Sequence, residues 1–291
     1  MQSVPVVATP AAASEATSYV EVPDDWERVA SGRVLGFVTH ETFRRPDGAS
    51  VVWRSRAHRK RGRGPTQGST LWAPHALAWW IAVLFMIGSA CFVLGPLPGY
   101  LSLVGYRVDA ATFFIGSIFF TSAALCQYIE AAVAPRTLTK EGPHRLRRRF
   151  TIEVHRIDWW ACAVQLVGTL WFNVTTFAAF NTDLTVQQTH RRIWTPDALG
   201  SICFLVASAL AYFEVGNRLV SWMVYSRSWR IAALNLVGSI AFGVSAIASF
   251  VLPTTGDPVS VMWTNLGTFV GAICFFVGAA LLLPERTHPD A

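Results

Sequence analysis

The chain has 291 residues, 52% of them hydrophobic and only 14% charged, with a mean hydropathy of +0.38. A water-soluble domain carries about 25% charged residues, so this composition belongs to a membrane protein and excludes a collagenous, disulfide-stapled or wholly disordered one. The formal charge is +6, and 17 of the 42 Asp, Glu, Lys and Arg residues lie within positions 1–70, which leaves the remainder sparsely charged.

In chain order, residues 1–70 read as an N-terminal cytoplasmic segment. The opening MQSVPVVATPAAASEA lacks the basic start and long apolar core of a secretory signal, so no cleavage is expected. Its Ala/Ser/Thr/Val-rich residues 1–18 are expected to be disordered. Residues 33–56 alternate around Pro46-Asp47-Gly48, a turn tripeptide, and predict a small β-hairpin. An isolated hairpin is marginal in water, so it should lean on the membrane-facing loops or on a partner. A basic run of Arg54, Arg56, Arg59, Lys60, Arg61 and Arg63 follows.

From residue 71 onward, six apolar stretches approach the 17–25 residues a helix needs to cross about 30 Å of hydrocarbon. They cover 76–94, 110–129, 159–182, 198–213, 231–252 and 260–284, and predict an all-α polytopic membrane domain over 71–291. The fourth is short, and reaches the interfaces by letting Asp197 and Glu214 snorkel. Strands are excluded because the runs do not alternate and an open sheet edge would leave backbone groups unpaired in lipid. With both ends on one side, 21 of the 24 Lys and Arg residues fall on that side and three, Arg107, Arg191 and Arg192, on the other. The expectation is that both termini are cytoplasmic and that the cell membrane is the location.

Each span carries Gly, a small residue, two arbitrary residues and Phe. The copies begin at Gly88, Gly116, Gly168, Gly200, Gly238 and Gly271 and end at Phe92, Phe120, Phe172, Phe204, Phe242 and Phe275. Odd spans place a Trp nine residues before the Gly (Trp79, Trp159, Trp229), and even spans a Glu fourteen residues after it (Glu130, Glu214, Glu285). This alternation predicts three tandem hairpins, over about 75–133, 157–219 and 229–285, forming a pseudo-threefold six-helix bundle.

The six glycines are read as helix-packing positions, where a missing side chain lets a second backbone approach; lining a narrow pore is the alternative. The Trp and Glu residues are read as a cytoplasmic rim. A carboxylate at a helix C-terminus opposes the macrodipole and calls for a cationic or hydrogen-bonding partner, with Arg218, Arg286, Arg156 and Arg230 as neighbours in sequence. A cation-attracting vestibule is the alternative role. Gln165 and Asn235 hold one repeat position, where the first span has Phe85, and with Asn173 are candidates for a polar constriction.

No Asp, Glu, Lys, Arg or His falls inside the spans as delimited, which disfavours a proton-coupled pump, a buried bis-His haem and an intramembrane zinc protease. Cys91, Cys126, Cys162, Cys203 and Cys274 sit singly in different apolar runs, as buried small residues do. No catalytic, metal-binding or cofactor-binding residues are assigned. An enzyme at the interface would have to use Glu130, Glu214, His155 or Asp158. The Arg54–Arg63 run and a second one, Arg145, Arg147, Arg148 and Arg149, are expected to meet anionic lipid headgroups or an acidic protein, and no nucleic acid is expected.

The stretch Phe-Phe-Ile-Gly-Ser-Ile-Phe-Phe at 113–120, echoed at 199–204 and 270–276, is similar to the transmembrane signature of YrhK-like proteins, small bacterial membrane proteins of unknown function. The whole chain resembles larger actinobacterial YrhK-domain proteins that repeat such helices. Its 22 Arg against two Lys fit a GC-rich bacterial genome. The resemblance carries no catalytic or ligand residues. Mitochondrial carriers also have three hairpins, but their Pro-x-Asp/Glu-x-x-Lys/Arg signature is missing here. The function expected is a non-enzymatic structural or interaction platform; the alternative is a channel or facilitator for a small solute or ion.

Overall fold

A computed structural model of the chain describes residues 20–61, 69–134 and 152–287. The stretch expected to be disordered, 1–18, and the second basic run, 145–149, lie outside the described residues.

The N-terminal part holds one strand more than the sequence predicts. Strands β1 (Glu27–Val34), β2 (Phe37–Arg44) and β3 (Ser50–Arg54) form an antiparallel sheet in that order. The β2–β3 turn is the expected one: Gly48 takes φ +82° and the Asp47 carboxylate accepts from the Ala49 amide at 2.9 Å. The β1–β2 turn consists of Leu35 and Gly36, both with positive φ, 51° and 85°. That is the mirror-image two-residue turn whose twist suits a hairpin, and Leu is a poor signal for it, so β1 escapes a reading of turn residues. Val20, Trp26, Val38, Phe43 and Trp53 make a small apolar core on this sheet, with the Arg45 guanidinium 4.9 Å from the Trp26 ring centre.

Helix α1 (Ser55–Arg61) leaves β3 directly, and is followed by α2 (Leu77–Leu94), the short α3 (Tyr100–Val104), α4 (Tyr106–Ala132) and α5 (Ile157–Ala178). After these come the short α6 (Val186–Thr189), a π turn at His190–Trp194, α7 (Thr195–Gly216), α8 (Arg227–Ala248) and α9 (Val261–Thr287). Six helical segments are long and apolar enough to cross a membrane, and side chains such as Leu170, Ile240 and Ile247 stand exposed on their outer faces. The helices overrun the expected spans, so Asp109 and Asp158 occupy first turns, where a carboxylate complements the helix dipole, and Asp197 falls inside the fourth helical segment.

The fourth span departs most from expectation. It is a continuous helical segment of 31 residues, Val186–Gly216. Thr185 and Gln188 form a reciprocal capping box at its start. Pro196 lacks an N–H and its ring crowds the carbonyl four residues back, which the π turn absorbs without ending the helix. His190, outside the span as read from sequence, therefore belongs to this segment; its ring stacks on Phe250 at 4.6 Å and Nε2 lies 2.6 Å from the Val251 carbonyl.

Contacts run from α2 to α4, α5, α7, α8, α9 and back to α2, a closed ring. The motif glycines meet across three of these seams. A Cβ on Gly88 would fall 2.9 Å from the Gly116 carbonyl oxygen, one on Gly200 3.2 Å from that of Gly168, and one on Gly271 2.9 Å from that of Gly238. Neighbouring hydroxyls tie other seams: Ser117 to Thr176 at 3.0 Å between α4 and α5, and Ser239 donating to the Phe204 carbonyl at 3.1 Å between α8 and α7.

The motif phenylalanines converge at the centre. Phe92, Phe172 and Phe242 form one triangle, with ring centres 6.5, 6.1 and 6.3 Å apart. Phe120, Phe204 and Phe275 form another, at 6.2, 5.5 and 6.1 Å. The pairs Phe92–Phe120, Phe172–Phe204 and Phe242–Phe275 join the triangles at 5.6, 5.2 and 5.4 Å. All six are buried, and edge-to-face and offset contacts at these distances are favourable. The ring of helices is thus packed shut at this depth.

Candidate functional site

Above the phenyl layer, toward the end of the bundle that carries the sheet, lies a cavity of about 550 Å³. All six long helices contribute to its wall, so it follows the bundle axis, and its floor includes Phe204 and Phe275. Phe85, Gln165 and Asn235 stand in the wall, as does Gln127, which the sequence reading did not single out. Gln165, eight residues after the start of α5, lies about 12 Å along that helix at 1.5 Å per residue. Asn173 is elsewhere: it sits in the α4/α5 seam, where its Nδ2 donates to Thr121 Oγ1 at 2.9 Å. Gln127, Gln165 and Asn235 make no hydrogen bond among the described residues, and their amides open into the cavity.

The mouth of the cavity is charged. Glu130, Glu214 and Glu285 line it, one from each of α4, α7 and α9. Each has a partner in α1, a helix not among the neighbours expected from sequence; the Arg286 side chain lies outside the described ones. Ser55 donates to Glu214, Arg59 lies 3.6 Å from Glu130, and Lys60 and Arg56 both pair with Glu285, Arg56 at 3.4 Å. Ser228 of α8 adds a hydrogen bond to Glu285 at 2.7 Å. Expected to meet headgroups, Arg56, Arg59 and Lys60 instead turn into the bundle, because α1 continues β3 and the sheet is itself held at the rim. The Val38 amide donates to the His155 carbonyl at 3.3 Å, and His40 Nδ1 lies 3.2 Å from Asn217 Oδ1.

Beside the mouth, Asp158 is fully buried and its carboxylate receives both Nε and Nη2 of Arg156, Nε at 2.9 Å. Arg156 also donates to the Ala131 carbonyl at 3.2 Å, tying α5 to α4. Arg59 approaches this pair, with Nη1 3.8 Å from Asp158 and 3.0 Å from the Cys162 sulfur. Burial works against the Arg59 charge, yet Cys162, Asp158, Glu130 and Glu214 hold its pKa above the ordinary guanidinium value. For Lys60, burial and then the Arg56 charge prevail over Glu285 and pull the ammonium down from 10.5 to about 8. Burial also pushes the Glu153 carboxyl up, though Arg156 and His155 work the other way.

The rim tryptophans do not serve the glutamates. Trp79 Nε1 donates to the Leu71 carbonyl at 2.7 Å and Trp229 Nε1 to the Ser221 carbonyl at 3.2 Å, each pinning the chain eight residues before it. The matching position before Trp159 is Thr151, outside the described residues. No group of three or more His, Cys, Asp or Glu placed to hold a metal ion occurs among the described residues. The arrangement can hold charge and polar solute at one end of a sealed axis.

The three Glu residues and two cavity amides are legible in the sequence, whereas the answering role of α1 is not. The signal was present as a seven-residue segment, Ser55–Arg61, with Arg56, Arg59 and Lys60 within a helical turn and a half, yet its contacts with the glutamates span 71 residues of chain for Arg59 and Glu130 and 229 for Arg56 and Glu285. Comparison with family models, curated proteins and solved structures returns no match to this chain.

Proposed function

We propose that the chain is a non-enzymatic integral membrane protein that acts as a structural or interaction platform. In this reading α2/α4, α5/α7 and α8/α9 are three copies of one hairpin about a pseudo-threefold axis, as in the YrhK-like bacterial proteins that the motif resembles. Both termini face the cytoplasm of the cell, where the basic residues that the bundle does not engage meet anionic headgroups and a protein partner. The nearly equal spacings within the two phenyl triangles support the threefold relation. The observation that carries the functional reading is the same layer: six buried rings close the axis, while the opposite end of the cavity is used to hold the N-terminal sheet. In proteoliposomes of defined orientation the full chain should pass neither small ions nor glycerol above the lipid background. Pull-down from membranes should recover one protein or lipid in fixed ratio. Sustained flux, or no constant companion, overturns the platform.

A channel or facilitator is the second reading. It is favoured by the axial cavity, which already covers the distance from the mouth to the phenyl layer and carries three open amides. Saturable flux through the unaltered protein decides for it.

A further inference from the structure

The charge at the mouth is divided between two parts of the chain. The bundle supplies Glu130, Glu214, Glu285 and Asp158, and of these only Asp158 has its direct cationic partner, Arg156, at the head of its own helix. Among the described residues, the cations paired with the glutamates include Arg56 and Lys60 at Glu285 and Arg59 at Glu130, three side chains of α1. Without α1 the buried Glu214 and Glu285 carboxylates at the cavity rim would lose these neighbours, and buried carboxylates demand compensating positive charge.

Beneath α1 the space is not filled. A volume of about 550 Å³ falls in the range of small-ligand sites. Its wall combines apolar surface from Ile81, Phe85, Phe204 and Phe275 with the unpaired amides of Gln127, Gln165 and Asn235. At membrane depth a polar group without a partner costs free energy, so these amides call for an occupant that hydrogen-bonds to them. Acid rim, amide band and aromatic floor follow one another along a single axis.

We propose that this cavity binds a small amphipathic organic cation, an amine or guanidine on a short apolar body, and that α1 is a tethered stopper which competes with it for the glutamate ring. The α1 side chains are themselves an ammonium and two guanidiniums seated at the rim, so the chain carries an internal version of its ligand. The asymmetry fits this role. Three like carboxylates are met by three unlike groups, Ser55, Arg59 and the Arg56/Lys60 pair, from one helix that cannot match a threefold ring. A ligand entering from the rim displaces α1 and, with it, the hold of the bundle on the sheet. The inference stands whether or not solute crosses the phenyl layer.

The test uses full-length protein in nanodiscs, titrated with hexylammonium and hexylguanidinium and, as matched controls, hexanol and hexanoate. Binding is read by thermal shift, and α1 release by acylation of Lys60 relative to Lys140, the other lysine of the chain. Both cations should bind saturably and raise Lys60 labelling severalfold, and both controls should do neither. An Arg56→Ala variant that leaves α1 docked about half the time instead of about 95% should bind the cations about tenfold more tightly, since apparent affinity scales with the competent fraction. Arg59→Ala, whose charge the docked site favours, should act in the same direction. Gln165→Leu should weaken binding without raising Lys60 labelling in the free protein. Equal responses to hexanol or hexanoate, the absence of saturation, or unchanged affinity in both α1 variants overturns the proposal. Flux in liposomes with cation binding intact would instead overturn the platform reading alone.

Discussion

Replacing Gly271 by Ala tests whether close helix approach holds the bundle together. The added Cβ would lie 2.9 Å from the Gly238 carbonyl oxygen and 2.9 Å from Phe242 Cδ1, against 3.4 Å for ordinary contact. One obstacle is backbone, so α8 and α9 must separate by about half an ångström, loosening the seam and tilting Phe242 in its layer; overpacking of this kind costs about 1–3 kcal/mol. Ala gains about 1 kcal/mol over Gly in helix propensity, so the net loss is about 0–2 kcal/mol. Gly243 in α8 is the control, since a Cβ there meets nothing within 4 Å. Gly243→Ala keeps the propensity gain without the clash, so the two variants should differ by about 1–3 kcal/mol. Unfolding of the purified protein by SDS titration, followed by tryptophan fluorescence, measures that gap. If Gly271→Ala proves as stable as Gly243→Ala, the seam is not held by close approach and the packing argument fails for all six glycines.

Other expectations follow from burial and charge. Phe204→Ala removes a ring that is 2% exposed and touches three others, and should cost about 3–5 kcal/mol in the same titration. Asp158→Asn leaves the buried Arg156 guanidinium without its counter-charge and should destabilise by about 3–5 kcal/mol; the double substitution Asp158→Leu with Arg156→Met should recover part of that loss. The Lys60 ammonium titrates near 8 when α1 is docked and returns toward 10.5 when it is released. The docked state therefore holds fewer protons between those values, and raising the pH through that window favours docking while lowering it favours release. Trypsin cleavage within Ser55–Arg61, normalised to the denatured chain, should fall between pH 8 and 10; a rise refutes the sign. Below about pH 8 this group should contribute no further change.

Much of the helical layout was legible because hydrophobic runs and Gly-x-x-x-Phe spacing are local. The position of Trp79, Trp159 and Trp229 at the starts of α2, α5 and α8 could be read the same way. The start of the fourth span could not, since Thr185 and Gln188 cap a polar turn whose helicity depends on two hydrogen bonds rather than on apolar content. Strand β1 was hidden by the Leu35-Gly36 turn. Of the three amides proposed for a constriction, Gln165 and Asn235 line the cavity while Asn173 turns to Thr121, a difference of helix face that depends on which neighbour each helix meets.

Hydropathy over runs of twenty residues and the periodic return of Gly, Phe, Trp and Glu were enough to establish six apolar helices, because lipid imposes its demand on each segment separately. Which groups neutralise the glutamates, and that the axis is shut by phenyl rings but hollow above them, emerged only from the assembled chain. Those features depend on side chains from distant parts of the chain arriving at one depth, and no local pattern encodes that meeting.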